Sequence, residues 1–569
     1  MRILLINPPY TRFKGLIQRY FPIGLGYIAA TLERAGHEAI IYNAENPPLD
    51  EGVEDWGAEA RVQAHARCLG RIRDPDDPIW QEVRAVIQGF HAEVVGITCM
   101  TVTFDIAKRI MRIARDCDPT VPLVWGGPHP TEVPEQVIRD DVADFLIVGE
   151  GELTAVELLE RLREGSSDFG GIDGLMFKRE GQVVRNPPRA FVATLDKLPF
   201  PDPNALLNIH GFGKTLMADF LGDIVSSRGC PHQCTFCSVM NVWGRTTRWR
   251  SPQNVVDEIE SLRRRLGAVE FHFWDDTFTI NRRRTVALLR HMIERRVDVT
   301  WTCLTRADRL DEELVELMME AGCYNVFLGL ESGSDRQLAK TKKGITTDDG
   351  RRAARMLNDA GLFWTALMMV GLPEETEEEM MQTLAYLQEI RPKEVALSVF
   401  TPFPGTALWE QARSLGLIDE TVDWSTIETK SSRNAFVTTM SPERFRQLYV
   451  EMTRWIDAWN TRNRPFWKGI SMRSRFYKKH PALFLRRAYH HLYRQMKNPT
   501  ARRRRRAHPT GRLTGALRNA TALHRLLFPS PSLLASLPVS VEEEARKDGG
   551  MAQAAREVQG PPRPLDEIH

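Results

Sequence analysis

Three cysteines constrain this chain more than any other feature. Cys230, Cys234 and Cys237 stand in the run Arg228-Gly-Cys-Pro-His-Gln-Cys-Thr-Phe-Cys, directly after the short apolar strand signal Ile224-Val225. The C-x3-C-x2-C spacing can hold three corners of an iron–sulfur cube and leaves the fourth iron without a protein ligand. Electron-transfer clusters take four cysteines. A three-cysteine site therefore keeps one position open for another molecule, as catalytic zinc sites do. The competing reading is a structural zinc site with His232 as fourth ligand.

At 569 residues the chain has the length for two or three domains, and a net charge of +2 with 26% charged residues does not describe a global polyanion binder. No apolar run approaches the ~18 residues of a membrane-spanning helix. The N-terminal run Met1-Arg-Ile-Leu-Leu-Ile-Asn-Pro-Pro is too short in apolar length for a signal peptide, so a cytoplasmic location is expected. Eight cysteines are too few and scattered for a disulfide framework, and a reducing compartment suits thiolate ligands. Cys68, Cys99, Cys117, Cys303 and Cys323 read as buried or incidental thiols.

Residues 1–165 alternate β-branched runs (Ile3–Ile6, Ala39–Tyr42, Val94–Thr98, Val121–Trp125, Phe145–Val148) with amphipathic stretches, which predicts an α/β domain built on a doubly wound parallel sheet. Ligands on such sheets sit beyond the carboxyl ends of the strands. Those ends carry Asn7-Pro8-Pro9, Thr101-Val102-Thr103, Gly126-Gly127-Pro128-His129 and Gly149-Glu150-Gly151-Glu152. Gly24-Leu-Gly-Tyr-Ile-Ala29 matches a dinucleotide fingerprint, with Glu45 in the place of a ribose carboxylate. A long loop separates it from strand one, however, whereas the fingerprint needs its first glycine in the turn itself.

Residues 166–215 hold a hairpin signal and many prolines and read as a connector. Over 216–433 the alternation resumes, with strand runs at Ile224–Ser227, Val269–Trp274, Val299–Leu304, Tyr324–Leu330, Trp364–Val370 and Val395–Phe400, and with Ser251-Pro252 opening a helix that ends at Gly267. Polar groups follow these strands in order: Asp275-Asp276, Arg306, Glu331-Ser332, Gly371 and Thr401.

The cysteine loop, with Phe236 before its last cysteine and this ordered set behind it, resembles the radical S-adenosylmethionine enzymes over about Asp223–Phe403. The resemblance implies a partial (β/α)6 barrel of TIM type and a [4Fe-4S] cluster on Cys230, Cys234 and Cys237, whose open iron chelates S-adenosylmethionine. One electron from the cluster then cleaves the sulfonium to a 5′-deoxyadenosyl radical. Asp275 and Asp276 would meet the amino group, Arg306 the carboxylate, Glu331 and Ser332 the ribose or carboxylate. Gly371 would offer backbone to the adenine, and Thr401 would close the pocket.

Asn-Pro-Pro, Pro-x-Gly-Leu-Gly-Tyr-Ile-Ala-Ala, Trp-Gly-Gly-Pro-His-Pro-Thr and Val-Gly-Glu-Gly-Glu resemble the Rossmann-like cobalamin-binding domain that precedes many of these enzymes. Pro8, Thr101, Gly126, Gly127, His129, Glu150 and Gly151 are its candidate cofactor contacts. No Asp-x-His-x-x-Gly is present, so the resemblance implies cobalamin without a histidine ligand, and His129 is expected to bond backbone or the corrin periphery. In the subclass this resembles, one S-adenosylmethionine methylates cob(I)alamin and a second yields the radical that abstracts hydrogen from the substrate. The loops after Thr98, Trp125 and Val148 are then expected to face the cysteines across the substrate.

Residues 434–500 read as a C-terminal helical region crowded with bases and aromatics, and 501–569 as a basic, disordered tail containing Arg502–Arg506. The expected function is a cobalamin-dependent radical S-adenosylmethionine methyltransferase acting on an unactivated carbon or phosphinate of a small natural product, lipid or tetrapyrrole. It would be served by an external electron donor of flavodoxin or ferredoxin type. Alternatives are a cyclase or oxidase using the same cofactors without methyl transfer and, behind it, a tRNA-modifying enzyme. A peripheral membrane contact suits the tail; nucleic acid is not the expected partner.

Overall fold

β-Branched and aromatic runs become strands where their alternation places them. The first sheet comprises β1 (Arg2–Asn7), β2 (Glu38–Asn43), β3 (Val94–Thr98), β4 (Leu123–Gly126), β5 (Phe145–Ile147), β6 (Leu175–Arg179) and β7 (Gln182–Arg185), in the order β2-β1-β3-β4-β5-β6-β7. Strands β1 to β5 are parallel. Successive side chains of β1 enter opposite cores, Ile3 and Leu5 on one face and Leu4 and Ile6 on the other, as a sheet covered on both faces requires. The order reverses between β1 and β3, and this switch point opens a crevice beyond the strand ends. The hairpin signal within 166–215 is realised as β6 and β7, which extend this sheet antiparallel.

These strands belong to a computed structural model that describes residues 1–15, 20–46, 58–139, 142–207, 222–419, 422–427 and 435–463. All of them lie in one compact unit, Met1–Tyr477. Of the helical region expected at 434–500 and the basic tail expected at 501–569, residues 464–569 lie outside the described residues.

A ribbon of β9 (Ser227–Arg228) and β10 (Arg248–Trp249) flanks the second sheet. That sheet consists of β8 (Gly222–Ile224), β11 (Glu270–Phe273), β12 (Thr300–Arg306), β13 (Cys323–Glu331), β14 (Phe363–Val370) and β15 (Glu394–Val399), all parallel, in the order β15-β14-β13-β12-β11-β8. Helices on its outer face supply the largest core, around Trp301, Trp364, Phe273 and Leu328. The helix Pro252–Leu266 begins where Ser251 Oγ accepts from Asn254 N at 3.2 Å and ends at Gly267, at φ 68°, a serine N-cap with a left-handed glycine stop.

The helix Pro442–Asn463 buries Phe445, Leu448, Tyr449, Met452 and Ile456 against this barrel. On it, Asn460 accepts from Val395 N and donates to Val395 O, each at 2.9 Å, pairing the outer edge of β15. Among the described residues no helix is long and apolar enough to cross a membrane.

Candidate functional site

The cysteine loop leaves β9 through Gly229, at φ 93°, where a Cβ would stand 2.7 Å from Thr246 O; only glycine fits that turn. Cys230 and Cys237 are half-buried and Cys234 is buried. Thr235 pins the loop between two elements, donating from N to Thr341 O at 2.9 Å and accepting from Leu408 N at 3.0 Å. Burial pushes the Cys237 thiol up to about 12, opposed by the Val239 N–H and aided by Cys234, Asp276 and Cys230. Burial also raises Cys234, against the cations Lys343 and Arg306.

Among the described residues no three His, Cys, Asp or Glu side chains converge tightly enough to hold a single metal ion. A cube differs in giving each cysteine its own iron. Three thiols on one loop, close enough to influence one another's charge, with cations alongside, fit such a group and the open iron it requires.

The ordered polar set behind the cysteines divides on inspection. Asp276 is half-buried next to the loop, accepts from Gly229 N and acts on Cys237; burial, then Asp275, pushes it up to about 7. Asp275 instead turns inward and is consumed by Ser226 N at 3.2 Å, Ser226 Oγ at 2.8 Å and the Ser227 hydroxyl. Arg306 is committed to Asp308 at 2.9 Å and to the carbonyls of Lys343 at 2.7 Å and Gly344. It clamps that turn and presents no free fork. Ser332 is buried against Thr383, and Thr401 is buried with its hydroxyl on Val399 O at 3.4 Å. Gly371 N is taken by the buried Glu375 at 2.5 Å, and a Cβ at Gly371 would stand 2.9 Å from Phe445. Its positive φ and that packing explain the glycine.

Glu331 remains at the mouth. It adopts φ 65° after an irregular step in β13 and meets Lys343 Nζ at 2.7 Å. A glutamate held there costs on the order of 1–3 kcal/mol, a price met at sites that need one geometry. Lys343 lies 5.9 Å from the Phe236 ring centroid and acts on Cys234. Sequence reasoning missed this lysine, hidden in the run Lys340-Thr-Lys-Lys-Gly344; the glycine after it, at φ 70°, was the available signal.

In the first sheet, Pro8 and Thr101 flank the switch point, and Met100 beside them is 54% exposed at the end of β3. Gly149 is open on its Cβ side, and a Cβ at Gly126 would touch only Ile147, at 3.9 Å. These open strand ends fit a broad planar cofactor. Gly127 serves packing instead: at φ 107°, its Cβ would lie 2.9 Å from Cys99 N and O. A Cβ at Gly151 would lie 3.1 and 3.4 Å from the side chains of Ile28 and Ile147.

His129 is fully buried between Phe104 and Trp424, at ring distances of 4.7 and 5.3 Å, with Nδ1 3.2 Å from Thr101 Oγ1. Nε2 is buried without a partner, and burial pushes the imidazole down to about 3. The dinucleotide match resolves as packing: Gly24 and Gly26 lie inside the helix Ile23–Arg34, and Glu45 caps Thr11 and Arg12 backbone at 2.8 and 3.0 Å.

Glu150 contacts the barrel directly. It accepts from Arg228 at 2.9 Å, from Arg248 at 2.8 Å and from Val192 N at 2.6 Å, while Glu152 accepts from Arg228 at 2.6 Å. The loop after Trp125 also reaches the cysteines' flank, since its helix Pro128–Glu132 packs on Val239–Trp243. The two halves thus join beside the cysteine loop.

Comparison with known proteins agrees with this geometry. The radical SAM superfamily matches residues 224–387, and the B12 binding domain matches residues 17–159. An uncharacterized methyltransferase of Pyrococcus horikoshii is 32% identical over 72% of this chain and 88% of its own length. The cytidylyl-2-hydroxyethylphosphonate methyltransferase of Streptomyces wedmorensis is 28% identical over 74% and 83%. The anaerobic magnesium-protoporphyrin IX monomethyl ester cyclase of Rubrivivax gelatinosus is 27% identical over 72% and 70%. In fold, the chain matches the radical S-adenosylmethionine methyltransferase TsrM of Kitasatospora setae with a TM-score of 0.58 at 20% identity, covering 79% of this chain and 83% of that one. A cysteine loop at the mouth of a partial barrel, joined to a sheet of cobalamin-binding type, and these relationships place the chain in the radical SAM superfamily, among the enzymes that use a [4Fe-4S] cluster, S-adenosylmethionine and cobalamin.

Proposed function

We propose that the enzyme is a methylase that places a methyl group on an unactivated carbon, or a phosphinate, of a small molecule. The observation that carries this reading is the direct joining of the cysteine loop to the cobalamin-type sheet, through Arg228 on Glu150 and Glu152. Bound in this setting, the cluster and S-adenosylmethionine supply hydrogen-atom abstraction and cobalamin supplies the methyl group.

The chain's own residues hold and orient. Cys230, Cys234 and Cys237 would ligate three irons. Lys343, on Glu331, sets a positive charge beside Cys234, suited to a carboxylate arriving at the open iron. Asp276, beside Gly229, would accept from an ammonium group. Arg306 and Asp275 act one layer back, by fixing the Lys343 turn and the β9 serines. Open backbone at Gly126 and Gly149, with Pro8 and Thr101, would border the corrin. A flavodoxin- or ferredoxin-type donor would deliver the electron, and a basic tail suits a transient contact with anionic lipid.

Anaerobic turnover tests the reading. A methylase yields 5′-deoxyadenosine and S-adenosylhomocysteine together, with product heavier by one CH2. 5′-Deoxyadenosine with no methylated product, whichever candidate substrates are supplied, would favour the cyclase chemistry of the Rubrivivax relative.

A further inference from the structure

Asp223, on β8, is 8% exposed, and its one hydrogen bond among the described residues comes from Trp274 Nε1 at 2.7 Å. Burial pushes it up to about 7, and no cation offsets that burial. Asp275 nearby has three donors and the Arg284 guanidinium in range. A buried carboxylate without a positive partner is unfavourable unless something else brings the charge.

Its surroundings have the form of a binding surface. In the β8–β11 and β11–β12 registers Asp223, His272 and Thr302 stand side by side in one row. Phe271 and Phe273, on the other face, fill the core beneath the helices. His272 Nδ1 pairs with the Thr302 hydroxyl, Nε2 is buried without a partner, and the ring packs edge-on to Trp274 at 4.2 Å and Phe327 at 5.7 Å. Trp274 is 53% exposed, a large indole left uncovered immediately before the Asp275-Asp276 pair. From the first domain, the Tyr20 phenol comes within electrostatic range of Asp223. The set therefore faces the first domain, and Trp274 stands two residues before Asp276, which accepts from Gly229 N beside the cysteine loop.

We propose that Asp223, Trp274 and His272 form the substrate-anchoring site, and that it takes a substrate carrying a cationic nitrogen next to an apolar or planar portion. The cation meets the Asp223 carboxylate and the indole face, and cation–π attraction strengthens when the pair is dry. The apolar portion lies over Trp274, and Nε2 of the neutral His272 is the remaining polar contact. This inference rests on the methylase reading for calling the ligand a substrate, but its test needs no turnover.

The test uses the full chain loaded with cluster, cobalamin and a non-cleavable S-adenosylmethionine analogue. Three probes of matched shape are titrated by calorimetry: 2-phenylethylamine, 2-phenylethanol and 3-phenylpropionate. The amine is expected to bind at least about tenfold more tightly than the other two. Asp223→Asn should remove that preference while leaving the alcohol's affinity in place, and Trp274→Ala should weaken amine and alcohol together. Comparable affinities for the three probes in the unaltered protein, no binding of the amine, or an amine preference that survives Asp223→Asn would overturn the proposal. Amine selectivity in this titration, together with 5′-deoxyadenosine but no methylated product in anaerobic turnover, would leave this site standing and remove the methylase reading alone.

Discussion

Glu150, at the start of the helix after β5, holds Arg228 at 2.9 Å, and Arg228 stands two residues before Cys230. Both side chains are buried, and the guanidinium also faces the rings of Tyr27 and Trp243 at 5.1 and 5.0 Å. Burial opposes its charge, but Glu152 and Glu150 hold it above the ordinary arginine value. The loop that carries the cysteines is thereby tied to the other domain by a charge that cannot leave.

Breaking that tie should be costly. Arg228→Gln or Glu150→Gln leaves an uncompensated buried charge, worth about 3–5 kcal/mol, read as a fall in the urea midpoint of the full chain. The double variant should lose less than the sum of the two. Strict additivity would show that the two side chains do not depend on each other.

Replacing Cys230, Cys234 or Cys237 with Ala should abolish both the cluster and S-adenosylmethionine cleavage. The unaltered chain, reconstituted anaerobically, should hold about four irons. Stoichiometric zinc without sulfide would refute the cluster assignment.

The two adjacent glycines of β4 and its loop should respond differently. Gly127→Ala puts a Cβ 2.9 Å from Cys99 backbone at a positive φ and should destabilise the protein by about 1–3 kcal/mol. Gly126→Ala meets only Ile147, at 3.9 Å, and should leave stability nearly unchanged. Larger side chains at Gly126 should lower cobalamin affinity without unfolding, as thermal melts and equilibrium dialysis would report; equal melting of the two alanine variants would contradict the packing argument.

These differences mark where the sequence is informative. Strand positions follow from periodicity, a local property, and the cysteine loop from spacing within eight residues, Cys230–Cys237. Asp275, Arg306 and Ser332 lie at the expected strand ends, yet each side chain turns to a neighbouring element. Rotamer choice depends on partners distant in sequence, which periodicity does not report. Glu150 illustrates this: its partner is 78 residues away. Lys343 becomes visible only when the loop of Arg306 and the end of β13 are brought together.

His129 gives a prediction with a defined sign. Its folded-state pKa is depressed to about 3, against an ordinary value of about 6.5. The unfolded chain therefore binds the proton first, and stability from the neutral ring is complete above pH ~6.5 and declines as pH falls toward about 3. The stability advantage of the unaltered chain over His129→Phe should shrink between pH 7.5 and 5.5 in urea titrations. Because the ring is fully buried, His129→Ala should leave the cob(II)alamin resonance spectrum unchanged. Nitrogen hyperfine structure lost on that substitution would overturn the assignment.

Asn460 on β15 bears on how such a barrel stays open. Six strands leave a free margin, and a free margin is where two copies of a protein stitch together. One amide, donating and accepting at Val395, imitates the missing seventh strand at a single rung. The enzyme can thus keep a wide mouth for large cofactors with one rung of its flank already closed, and the helix Pro442–Asn463 acts as the selvedge of the sheet.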